Sequence, residues 1–111
     1  MGRLDPNAIA ELRDLMGDEF VALIDAFQSD SRDQVEAIGE AVERRDAETV
    51  RRQAHGLKGA CINLGAGDLA ELCGRVEQVG RAGDCAMARD LLAPLHVEFE
   101  AVSVALEALK H

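Results

Sequence analysis

The chain has no tryptophan, no tyrosine and only three phenylalanines among its 111 residues. β-Branched residues are few, while Ala, Leu, Glu, Asp and Arg dominate, a balance that favours helices over strands. Apolar residues still make up 48% of the chain, too many for a disordered segment and enough for one domain with one modest core. No apolar run approaches the ~20 residues that span a bilayer. The N-terminus, MGRLDPNAIAELRD, lacks the long apolar core and cleavage site of a signal peptide. Gly2 is not a myristoylation signal, because position 6 is Pro.

Positive charge is also scarce. Twelve Lys and Arg face 21 Asp and Glu, for a net charge of -9. Such a surface repels nucleic-acid phosphates and anionic membranes. The three cysteines, Cys61, Cys73 and Cys85, lie twelve apart with no C-x-x-C pair. An odd number without metal-ligand spacing reads as reduced, small core residues of a cytoplasmic protein, not zinc ligands or a disulfide.

What is present is helical periodicity. Asp5-Pro6 pairs an N-cap with a proline at the first helical position, predicting a short helix to about Leu15, closed near Gly17. Apolar residues recur at Phe20, Leu23, Ile24, Phe27, Val35, Ile38 and Val42. The polar stretch Gln28 to Asp33 leaves open whether this is one helix or two. Asp46 caps the next helix, with Ala47, Val50, Ala54, Leu57, Cys61 and Leu64 as its stripe. Gly65 to Asp68 makes a turn into a helix burying Leu69, Leu72, Cys73, Val76 and Val79, which ends at Gly80 to Asp84. The last segment alternates steps of three and four through Cys85, Ala88, Leu92, Leu95, Phe99, Val102, Leu106 and Leu109. Pro94 lies beside this stripe and should kink the helix. The expected architecture is all-α: one domain over residues 1–111, an antiparallel four-helix bundle with a short N-terminal helix packed across one end.

Within the sequence AHGLKGACINLGAG, His55 falls roughly 140° from the centre of its helix's apolar stripe, at about 100° per residue, so it faces out. Gly59 and Arg52 lie further round, flanked by Glu48, Arg51, Lys58 and Ile62. Gly59 sits mid-helix, where Gly costs ~1 kcal/mol relative to Ala. Close approach by another body is a reason to keep it. Gly56 adds a second such cost. Ile62, apolar on the same outward side, suggests a docking surface. Five of the twelve cations, Arg44, Arg45, Arg51, Arg52 and Lys58, cluster here, a local field suited to an anionic group or simply a solvated face.

The stretch AHGLKGACINLGAGDLAELC resembles the signature of histidine-containing phosphotransfer (HPt) domains of two-component phosphorelays. Their pattern is a His, then a hydrophobic residue, Lys and Gly, with Leu-Gly a turn or two later. The likeness extends through both flanks, roughly Leu4 to Leu109. It implies that His55 is phosphorylated at Nε2. The phosphoryl group would come from the receiver-domain aspartate of a hybrid histidine kinase and pass to the aspartate of a response regulator. Lys58 would offset phosphoryl charge, with Arg51 and Arg52 supporting it, and Gly59 would leave room for the receiver's loops. Ile62, Leu12 and Leu23 would form the docking patch. Many family members place a Gln on the following helix to fix the ring tautomer. In ungapped alignment that position is Glu77, at the edge of its stripe, whereas the next residue, Gln78, points away. A carboxylate there would accept the ring N–H and raise the histidine's basicity.

The alternatives are weaker on residues. Nothing supplies a triad and oxyanion hole. The neighbours of His55 are mostly cationic, the wrong charge for a metal site. His96 and His111 are expected at the surface. There is no Gly-rich phosphate loop, so the chain is not a kinase and not an enzyme with a small-molecule substrate. The rival is a docking module of the same fold that carries no phosphate; the joint presence of His55, Lys58 and Gly59 argues against it. The expectation is a monomeric, cytoplasmic phosphocarrier without a cofactor of its own, any Mg²⁺ lying on the partner receiver domain. The start at MGRLDP and the length fit a free-standing protein, and equally a domain cut from a larger hybrid kinase.

Overall fold

The computed structural model describes residues 3–111, so the reading of Gly2 lies outside the described residues. Five α-helices follow in order: α1 (Pro6–Met16), α2 (Phe20–Glu43), α3 (Ala47–Asn63), α4 (Gly67–Arg81) and α5 (Cys85–Ala108). A single 3₁₀ turn, Gly17–Glu19, joins α1 to α2.

Local chemistry sets the ends. The Asp5 carboxylate accepts from the Asn7 N–H at 2.9 Å, Pro6 opens α1, and Gly17 closes it at a positive φ of 54°. Asp46 accepts from the N–H of Thr49 at 3.1 Å and Asp84 from that of Met87 at 2.9 Å. Such caps are worth about 1 kcal/mol each. Gly65 and Gly83 supply positive φ in the two later turns.

The open question at Gln28 to Asp33 resolves to one helix. The buried row Phe27, Ser31, Val35 runs straight through the polar stretch. Ser31 is tolerated in that row because its hydroxyl donates to the Phe27 carbonyl one turn back. The Gln28 amide reaches α5 and donates to the Ser103 carbonyl at 3.1 Å. α5 is likewise continuous, with Pro94 inside it on the exposed side.

Three-residue connections make α2 to α5 antiparallel neighbours. α3 packs on α2 and α4, and α5 packs on the same two, so α3 and α5 occupy opposite corners of the bundle. α1 lies over one end. The Asp5 N–H donates to the Gly65 carbonyl in the α3–α4 turn at 2.9 Å. The core draws on most of the predicted stripe positions, with Ile24, Ile38, Leu57, Leu69, Leu95 and Phe99 at most 1% exposed, while Leu23, Leu72, Val79, Cys85, Leu92 and Leu109 are only half-buried. Each such side chain contributes roughly 1.5–3 kcal/mol of hydrophobic stabilisation. Cys61 and Cys73 are free and buried, and Cys85 is free and half-buried. Contact with Cys73, reinforced by burial, pushes the Cys61 thiol well up, so it stays protonated. Among the described residues no helix is long and apolar enough to cross a membrane.

Candidate functional site

Helical side chains lean toward their helix N-terminus, so the residues that cover a given position come from the turn after it. On α3, Lys58 therefore leans back toward His55. On α4, Arg81 leans back toward Glu77. These four side chains meet at the α3–α4 seam, around one carboxylate.

That carboxylate is Glu77. It is 6% exposed by side chain, whereas His55 is 65% exposed and Lys58 32%. The His55 Nδ1 lies 2.9 Å from Glu77 Oε2. Lys58 Nζ is 2.6 Å from Oε1, an ion pair whose angle leaves Oε1 without a well-directed hydrogen bond. An Arg81 amine donates to Oε2 at 3.2 Å. Lys58 holds the Glu77 carboxyl below its ordinary value, burial pulls the other way, and the His55 hydrogen bond adds to the lowering. Glu77 is thus ionised at neutral pH, and an ionised carboxylate only accepts. The Nδ1 of His55 must then carry the proton, which leaves the Nε2 lone pair free on the solvent side.

Gly59 lies one turn on, exposed, and a Cβ built there would meet nothing within 4 Å. The fold does not require this glycine. Gly56 differs: its Cβ would fall 3.1 Å from Gln34 Nε2, so the α2–α3 contact occupies it. Ile62 is 61% exposed on the outer side of α3. Leu12 and Leu23 are half-buried and line a groove of about 310 Å³ with Phe27, Ala60 and Leu64. Ile62 is not among its walls.

Two expectations need correction. Arg51 and Arg52 do not support His55 in this structure. The Arg51 guanidinium is bound by Glu48, its Nε at 3.0 Å, and an Arg52 amine donates to the Thr49 hydroxyl at 3.2 Å. Both lean toward the helix N-terminus and away from the histidine. Arg81, not singled out from the sequence, is the arginine that pairs with Glu77. Its signal in the sequence was the opposite-charge pair Glu77–Arg81 at i,i+4. His96 and His111 are exposed. No group of three or more His, Cys, Asp or Glu side chains among the described residues gathers as metal ligands would.

The arrangement can do one kind of chemistry well. It offers an outward nucleophilic nitrogen of fixed tautomer, with a cation three residues on and bare backbone beside it. No curated protein matches the chain by sequence. The crystal structure of histidine-containing phosphotransfer protein B (HptB) from Pseudomonas aeruginosa PAO1 is similar, with a TM-score of 0.92 and 32% identity over 96% of this chain and 92% of that one. The family model described as Hpt domain matches residues 22–110. Sequence, bundle and solved relative therefore agree that this chain belongs to the Hpt domain family, the phosphotransfer modules of histidine phosphorelays.

Proposed function

We propose that His55 is the phosphocarrier residue of this domain. The observation that carries it is the Nδ1 contact to a buried, ionised Glu77 at 2.9 Å on a ring that is otherwise open to solvent. In the transfer, Nε2 attacks phosphorus of a receiver's aspartyl phosphate. The N–P bond forms as the P–O bond to the aspartate breaks, and the carboxylate leaves. The ring, now an N-phosphorylated imidazolium, keeps its Nδ1–H on Glu77, whose negative charge offsets it. Passage to a response-regulator aspartate is the same step reversed on a second receiver. Lys58 swings between Glu77 and the phosphoryl oxygens, and Gly59 admits the receiver's loops. Ile62, Leu12 and Leu23 supply apolar docking contacts.

In this proposal residues 1–111 act as one cytoplasmic, monomeric domain. The donor is the receiver of a hybrid histidine kinase. The Mg²⁺ that neutralises charge during transfer sits in the receiver's acidic pocket. The test is transfer from a labelled receiver domain, with and without Mg²⁺, to the wild type and to His55→Gln. Acid-labile label on the wild type alone supports His55. Receiver binding without label on either protein overturns the proposal in favour of a docking module.

A further inference from the structure

Gly59 is not the only glycine the fold leaves idle. Gly39 lies in the middle of α2, with helical dihedrals, and a Cβ there would meet nothing within 4 Å. Glycine at such a position is less favourable to α2 than alanine, with no close approach or positive φ inside the chain to require it. Gly39 opens onto a groove of about 520 Å³ between α2 and α5. Half-buried Leu92 is its main apolar contact point, over the buried Val35 and Val42, and Glu36, Glu40 and Glu43 stand along it.

These three glutamates are exposed and spaced by four and three residues, one side of α2. Several other acidic residues are paired with cations, among them Glu48 with Arg51, Glu71 with Arg75, Glu98 with Arg3, Glu100 with Arg32 and Glu107 with Lys110. Glu36, Glu40 and Glu43 form no ion pair among the described residues. Arg89 and His96 also border the groove, and with His96 neutral the rim still carries a net charge of about minus two. A half-buried leucine, bare backbone and three glutamates without ion pairs coincide in one place.

We propose that the α2–α5 groove is a second docking surface, and that its occupant is a basic amphipathic helix of a partner protein. Lys or Arg at i, i+4 and i+7 would match the glutamate spacing, an apolar face would cover Leu92, and Gly39 would let the helix approach closely. α5 is at the corner opposite α3. A partner seated here leaves the His55 face clear, so this inference does not depend on which residue carries the phosphoryl group.

The test is an NMR titration of the full chain with an 18-residue Lys/Leu amphipathic helical peptide, alongside the same peptide with Gln for Lys. Saturable shifts centred on Gly39, Glu40, Leu92 and His96, with the Lys peptide only, are expected. Gly39→Gln should weaken binding tenfold or more, keep or raise the melting temperature, and leave transfer to His55 unchanged. Gly59→Gln should bind the peptide as the wild type does. Shifts spread over the whole acidic surface, shifts centred on the Gly59 face, or wild-type affinity in Gly39→Gln would each overturn the proposal. So would a lower melting temperature in that variant, which would return Gly39 to the fold's own needs. Concentration-dependent shifts of the same residues without peptide would assign the groove to a second copy of the chain instead.

Discussion

Gly59, inside α3, and Gly80, in the last turn of α4, are both helical glycines close to the Glu77 cluster, and they have opposite meanings. A Cβ at Gly80 would lie 2.9 Å from the Arg51 nitrogen, 3.1 Å from its Cα and 3.2 Å from the Ala47 carbonyl oxygen. That glycine lets α4 press against the backbone of α3 and so sets the helix spacing at the site. A Cβ at Gly59 would touch nothing. One glycine is occupied by the fold; the other is available to whatever approaches from outside. A helix-breaking residue therefore points to a partner only after the chain's own packing has been subtracted.

The sharpest separation of site from scaffold comes from His55→Gln. Label transfer should be lost completely, while circular dichroism and the urea midpoint stay within about 0.5 kcal/mol of wild type, as for an exposed substitution. A fall in helicity would mean that His55 belongs to the scaffold after all.

Gly80→Ala should do the reverse. The added methyl meets backbone that cannot rotate away, costing about 1–3 kcal/mol, read as a lower urea midpoint. A wild-type midpoint would show that α3 and α4 can separate freely.

Gly59→Gln tests the other side of the comparison. Transfer from a receiver should slow about tenfold, equivalent to ~1.4 kcal/mol, while stability holds or rises by up to ~1 kcal/mol. Unchanged transfer kinetics would remove Gly59 from the docking face.

The smallest effect concerns the carboxylate between the two glycines. Glu77 has its pKa lowered in the folded state, chiefly by Lys58. Its contribution to stability is therefore present above the unfolded value near 4.5 and lost as pH falls through the lower folded value. Glu77→Gln should be less stable than wild type at pH 7 by about 1 kcal/mol, a low figure because Lys58 and His55 are partly open to water. The gap should close as the pH falls below 4.5, followed by urea unfolding at several pH values. A gap that is constant with pH would show that the ion pairs contribute nothing.

Much of the fold could be read from local signals. Asp5, Asp46 and Asp84 start helices through side-chain caps, and Gly17, Gly65 and Gly83 end them or turn the chain, because these effects act within a few residues. The continuity of α2 was not legible. Ser31 occupies a core position by bonding to its own helix, and a hydropathy pattern counts that as a break. The exposure of His55 followed from angle alone. Arg81 and the misplaced Arg51 and Arg52 depended on the direction in which helical side chains lean and on which carboxylate captures them first. Sequence separation along one helix does not supply that competition.

His55 stands at the outer edge of the α3–α4 seam, with its side chain 65% exposed. Most enzymes surround the reacting atoms with walls of their own. If His55 is the phosphocarrier, the chain contributes only a floor, and the walls would arrive with each visitor. Such a geometry confers no preference for one visitor's chemistry over another's. In the proposed role, discrimination would come from the rim of contacts around the histidine, which would let one nitrogen serve several clients in turn and place the choice among them in surface residues that never touch the transferred group.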